Sequence, residues 1–191
     1  STTRSAIDGT TRSTGSLNAR ALAGIVIVGR PLNVSGRSDA GRIAAMSRDL
    51  IETGLGWSWG PDRVARSIAN KDTATLLACE RDRVVAFSIM YFGDEHAHLN
   101  LLAVRPSHQR LGIGKHMVGW LLESAYAAGI ATIHLELRAA NTAARSFYRS
   151  LGFTESAYIP GYYRGREMAL RMVRVLRRPG APLPVWSAPK L

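Results

Sequence analysis

The sequence predicts a mixed α/β domain, one sheet covered by helices on both faces. Three observations carry that expectation. Apolar periodicity alternates along the chain between a two-residue spacing and a three-to-four-residue spacing. The elements run strands, then strand–helix–strand–helix, then a closing hairpin. A length of 191 residues with 46% hydrophobic content suits one sizeable core and is short for two.

Ile25 to Val28 is a short strand candidate. Asp39 to Glu52 carries Ile43, Met46, Leu50 and Ile51 at helical spacing, with Asp39 as its cap. Pro61 can open a second helix running through Ile68. Thr73–Cys79 and Val84–Tyr91 read as strands joined by the polar turn Glu80-Arg81-Asp82-Arg83, and Ala97–Val104 as a third. Gly112–Ala127 is a long helix with Met117, Leu121, Leu122 and Ala125 on one face. Ala131–Arg138 is a strand, and Asn141–Leu151 a helix capped by Asn141. Phe153–Ile159 and Glu167–Val175 close as a hairpin around Gly161. This core is expected over residues 21–177. Residues 1–20, rich in Ser, Thr, Gly and Arg, read as a disordered segment, and the proline-bearing residues 178–191 as an irregular tail.

The net charge of +11, from 25 Lys and Arg against 14 Asp and Glu, favours anionic partners. The arginines are scattered, and aromatic residues interleave with them only around Tyr162–Arg166, so nucleic acid is disfavoured as a partner. Cys79 is the single cysteine, which excludes an intrachain disulfide and fits a reducing compartment. No apolar run approaches the roughly 20 residues that cross a bilayer, and Gly24–Val28 is too short for a secretory leader. The expectation is a cytoplasmic protein with no membrane partner. His96-Ala97-His98 could chelate from one strand face, but no Cys or carboxylate constellation supports it beyond Asp94 and Glu95, so no metal is expected.

The stretch Val104 to Lys115 is the most informative. A buried strand ends, a loop follows, and Gly112 and Gly114 open a long helix. Glycines admit close backbone approach, and the helix start leaves N–H groups and a positive dipole end for an anion. A dinucleotide fingerprint would need glycine where Met117 stands. A P-loop would need glycine in place of Gln109 and Ser or Thr in place of His116. The remaining pattern, Gln109-Arg110-Leu111-Gly112-Ile113-Gly114 after a strand, resembles the coenzyme A signature of the GNAT acetyltransferases. Leu135 to Phe153, with Tyr148-Arg149-Ser150-Leu151-Gly152-Phe153, resembles the strand, helix and Tyr-x-x-x-Gly-Phe segment of the same family. The spacing is most similar to the bacterial group that acetylates ribosomal-protein amino termini.

The resemblance covers residues 99–175 and implies a GNAT fold: a mixed, mostly antiparallel sheet of six to seven strands with helices on both faces. It implies acetyl-CoA as cofactor, contacted by Leu102, Ala103 and Val104, by Gln109, Arg110, Leu111, Gly112, Ile113, Gly114 and Lys115, and by Asn141 and Ala144. Amine acetylation needs a base for the amine proton and an acid for the departing thiolate. The resemblance assigns these to Glu136, directly or through water, and to Tyr148. Gly161-Tyr162-Tyr163 resembles the hairpin of protein N-terminal acetyltransferases, so Tyr162 and Tyr163, with Trp57 and Trp59, are the expected acceptor contacts. Met168 stands where that family commonly has an acidic residue. The function implied is acetyl transfer to a primary amine, first a protein or peptide amino terminus, ribosomal proteins included. A small-amine acceptor (polyamine or aminoglycoside) and a non-catalytic ribosome- or RNA-binding protein are the rivals.

Overall fold

A computed structural model describes residues 25–29 and 36–177, with side chains from Asp39 onward. The two segments read as tails lie outside the described residues. Seven strands form one sheet: β1 (Ile25–Gly29), β2 (Thr73–Glu80), β3 (Arg83–Phe92), β4 (His96–Val104), β5 (Thr132–Arg138), β6 (Thr154–Tyr163) and β7 (Glu167–Val175), in the order β1-β2-β3-β4-β5-β7-β6. Every neighbouring pair is antiparallel except β4–β5. That exception follows from the helical crossover α3 (Ile113–Ala127), because a parallel pair cannot be joined by a tight turn. The helices α1 (Gly36–Leu50), α2 (Pro61–Ala69) and α4 (Thr142–Ser150) complete the fold.

The helices divide between the faces. Ile43, Ala44 and Met46 of α1 and Val64 of α2 pack with Leu77, Phe87 and Ile89 on one side. Ile113, Met117, Val118 and Leu121 of α3 pack with Leu76, Met90, Ile133, Leu135 and Leu170 on the other, joined by Tyr148 of α4 and Phe153. β3 is covered on both faces, and residues 84–90 form one unbroken buried run.

Two boundaries differ from the sequence reading. α1 begins at Gly36, so Asp39 lies in its first turn as a buried residue and is not the cap. The last hairpin turns through the three residues Arg164-Gly165-Arg166, where Arg164 and Gly165 have φ of 53° and 73°, and not around Gly161. β6 continues through Gly161 to Tyr163, which pairs with Glu167 across a register shift. The cap predicted for α4 is present: Asn141 Oδ1 accepts from Ala144 N–H at 3.0 Å.

Candidate active site

Pairing between β4 and β5 begins at His96–Thr132 and stops after His98–His134. Beyond that point β4 bonds only to β3, and β5 only to β7. The strands part, and the β5-facing edge of residues 100–104 offers backbone donors and acceptors to an extended ligand. A bulge lies at this fork. Ile89 pairs with Leu101 and Met90 with Leu99, so Asn100 is the extra residue. Ala97 and Leu99 consequently belong to the α3/α4 side, but Leu101 and Ala103 to the α1/α2 side. Leu102 and Val104 face the α3/α4 cluster together with Ala144 and Phe147. The Ala103 side chain, expected beside them, packs on the opposite face, so this residue can border the gap only through its backbone.

At the far end of that edge the chain enters α3. Gly112 caps the helix with φ 87°, and Arg110 has φ 65°. These left-handed residues turn the backbone so that, among the described residues, no main-chain acceptor takes the N–H groups of residues 110–115. The first turn of α3 holds no acidic residue. Arg110 and Lys115 are exposed, Leu111 packs on the core, and Ile113 is buried. Gln109 donates its side-chain amide to the Val104 carbonyl at 3.0 Å, tying loop to strand end. Gly114 faces Phe147 and Val104, which places the cradle against α4 and the open edge.

Glu136 projects from β5 on the α1/α2 side, and its side chain is 6% exposed. Its Oε2 lies 2.6 Å from His98 Nε2, and its Oε1 accepts from Arg171 Nε at 2.7 Å. The Tyr162 hydroxyl donates to Oε2 at 3.5 Å. Burial pushes this carboxyl up, but the bonds from His98 and Arg171 more than offset burial and hold it at about 2. The Glu136 bond raises the His98 imidazole above its ordinary value, against burial. His98 Nδ1 also meets Asn100 Oδ1 at 2.8 Å. Burial, with the charges of His96, His98 and Arg171, lowers His134. Tyr148 lies on the other face of the sheet, edge-on to Phe147 and Phe153, and burial pushes its hydroxyl well above the ordinary phenol range.

The α1–α2 loop and the β6–β7 hairpin face each other above Glu136. Glu52 organises the loop: it accepts from Ser47 Oγ at 3.2 Å, from Trp59 N–H at 3.0 Å and from Ser58 N–H. Trp59 packs on the α1/α2 core with the Arg63 guanidinium 4.0 Å above its ring. Trp57 donates to the Ala44 carbonyl at 3.2 Å and lines a separate open cavity of about 530 Å³ with Arg48 and Asp49. None of Glu136, His98, Arg171 or Tyr162 lines that cavity. Arg138 donates to the Ile51 and Thr53 carbonyls and pairs with Glu167, bracing the loop against the hairpin. Tyr163 packs edge-on against Tyr162 at 5.0 Å, and burial pushes its hydroxyl up to about 12.

The acetyltransferase (GNAT) family matches residues 44–153, which include the fork, the cradle and α4. The chain belongs to the GNAT acetyltransferase family. The [ribosomal protein bS18]-alanine N-acetyltransferase of Escherichia coli K12 is 38% identical over 96 residues, 49% of this chain and 65% of that enzyme. The match thus spans somewhat under two thirds of that relative. The Haemophilus influenzae enzyme of the same name is 30% identical over 120 residues, 61% of this chain and 80% of its own length. Among solved structures, the E. coli ribosomal-protein-S18-alanine N-acetyltransferase superposes with a TM-score of 0.68 at 26% identity, covering 82% of this chain and 96% of that one.

Within this GNAT frame, acetyl-CoA fits the residues present. The unpaired N–H row at 110–115 suits a pyrophosphate, and the open β4 edge suits an amide-bearing arm. Three residues at the site carry no signal in the sequence that marks them for it. Arg171 reads as one of a late cluster of arginines. His98 reads only as half of a weak metal pair. Asn100 is an ordinary strand residue until the bulge is known. Only the β4–β5 and β5–β7 registers bring His98 and Arg171 to Glu136, and Asn100 joins them through His98. Cys79 packs against the α1/α2 core, away from this cluster.

Proposed function

We propose that residues 21–177 form an N-acetyltransferase unit that moves the acetyl group of acetyl-CoA to the α-amine of a protein or peptide in the cytoplasm. Transfer is direct, within a ternary complex, and ribosomal-protein termini are the first candidates because the curated relatives are named for one. The observation that carries this reading is continuity. One unpaired strand edge runs from an anion cradle at the start of α3 to a fork occupied by Glu136, His98 and Arg171.

Acetyl-CoA supplies the acetyl group as an activated thioester. Residues 110–115 hold its phosphates through N–H groups, and the edge of β4 with Leu102, Val104, Asn141 and Ala144 aligns its arm. The acceptor enters from the α1/α2 side between Trp59 and Tyr162–Tyr163. Its nitrogen forms the new N–C bond as the C–S bond breaks. Glu136 and His98 receive the amine proton together. A carboxylate at about 2 is too weak a base to keep a proton taken from an ammonium group. The imidazole bonded to it belongs to a type that titrates near neutrality, and here it is raised further. Tyr148, kept protonated by burial on the cofactor side, returns a proton to the sulfur.

The test is thiol release from acetyl-CoA with a panel of amino-terminal peptides beside spermidine and an aminoglycoside. Peptide turnover blocked by α-amine formylation is the expected result. Turnover of the small amines alone would transfer the assignment to a small-molecule acceptor.

A further inference from the structure

The acceptor face carries cationic charge that its own carboxylates do not balance. Three carboxylates around the Glu136 cluster are engaged: Glu52 by the Ser58 and Trp59 amides, Glu136 by His98 and Arg171, and Glu167 by Arg138, while Asp62, next to Arg63, is exposed. Among the described residues, neither Arg63 nor Arg164 lies within salt-bridge distance of any carboxylate. That includes Asp62 in the first turn of α2.

Packing on Trp59 and a 3.4 Å bond to the Ser58 carbonyl hold Arg63, and packing holds Arg164 beside Gly56, on the side of the Trp57 cavity. Arg63 stacks on Trp59 and acts electrostatically on the Tyr162 hydroxyl, the group 3.5 Å from Glu136. Arg164, at the tip of the β6–β7 turn, spreads over Gly56. A Cβ there would come within 2.6 Å of its Cζ, so the missing side chain makes room for the guanidinium. Arg171 spends Nε on Glu136 and remains 43% exposed.

We propose that this mouth selects amino termini bearing an Asp or Glu within their first three residues. The inference rests on the peptide α-amine reading above and names its substrate class. Because Glu136 is already bonded by His98 and paired with Arg171, a polyamine or a lysine-rich terminus finds that carboxylate engaged. A carboxylate just beyond the reacting amine finds Arg63 and Arg164 without a carboxylate partner and positioned by packing. Rim charges of this kind act mainly on encounter and are screened by salt, so the discrimination is moderate and salt-dependent.

The experiment compares kcat/KM for three peptides that differ only at the second and third residues: Ala-Glu-Glu, Ala-Ala-Ala and Ala-Lys-Lys termini. The Glu peptide should exceed the Lys peptide about 10-fold at low ionic strength, and the ratio should shrink towards unity in about 0.5 M salt. The pair Arg63→Glu with Arg164→Glu should invert the order while leaving the alanine peptide within about 3-fold. The milder pair Arg63→Gln with Arg164→Gln should flatten it, and guards against misfolding of the charge-reversed protein. Equal rates, a lysine preference, or a glutamate preference indifferent to both pairs would overturn the inference while leaving the peptide reading standing. So would inhibition by single-stranded RNA, relieved by the charge reversal, with no peptide preference. If no peptide is turned over but small amines are, the underlying reading fails and this inference with it.

Discussion

Glu136 and His98 share one proton problem, and their separate substitutions should divide it. The imidazole is raised by the anion beside it, so removing that anion lowers it. Glu136→Gln should therefore cut kcat by about 10²-fold or more and shift the ascending limb of the pH–rate profile to lower pH. An unchanged limb with full kcat would place the base elsewhere, and His134 is next on the same strand face. Tyr148→Phe retains the ring contacts with Phe147 and Phe153. A loss of about 10²-fold there, with acetyl-CoA binding intact by calorimetry, assigns the effect to the hydroxyl, whereas full activity would return Tyr148 to packing. At this scale the sequence is legible in part. Glu136 is marked by the family resemblance and not by its spacing, since a polar residue alternating with Leu135 and Leu137 fits any half-buried strand, and Asn141 stands out because a cap has a fixed place before a helix. His98 and Arg171 are silent because a cross-strand neighbour depends on register, which no local pattern encodes.

The loop into α3 and the β6–β7 hairpin make the element-scale predictions. Gly112 has φ 87°, and a Cβ added there would meet nothing nearer than 3.8 Å. A side chain at this position is therefore opposed by backbone conformation and not by crowding. Gly112→Val should cost about 1–2 kcal/mol locally, leave the fold intact by circular dichroism, and weaken acetyl-CoA at least about 10-fold in calorimetry. Unchanged affinity would remove the cradle assignment. Replacing Tyr162 and Tyr163 by Ala should raise the acceptor KM several-fold and leave coenzyme A affinity nearly unaltered. A matching loss of cofactor affinity would show that the hairpin does not serve the acceptor alone. Strands and helices are legible here because their periodicities differ. The hairpin tip is not, because Gly161 looks like a turn residue, whereas the chain uses it inside β6 and turns further on, at Arg164-Gly165.

For the whole molecule, the layer arrangement is well encoded: helices on two faces and one crossover are what the order of elements allows. Which helix covers which face is not legible, since both cores draw on the same apolar residues. The described part ends in docked chain. Arg177 donates to the Gly129 carbonyl and reaches Glu95 at 3.4 Å. A protein trimmed to residues 21–177 should therefore keep its acetyl transfer and melt within about 4 °C of the full chain. A larger drop in Tm would mean that the removed ends contribute to the fold. Trimming further, before Arg177, should cost more.

The single extra residue at Asn100 acts as a half-period phase slip in β4. Upstream of it, odd-numbered side chains point to α3; downstream, even-numbered ones do. One strand thereby presents His98 to the acceptor side and Leu102 and Val104 to the cofactor side. Strict alternation through the same residues would drive Leu101 and Ala103 to the cofactor wall and Leu102 and Val104 into the opposite core. Shortening the strand by Asn100 alone would keep every other side chain on its present face, because the residue that sets the phase is also the one that is skipped. The slip thus lets an even-numbered histidine and even-numbered leucine and valine of one strand serve opposite sides of the sheet.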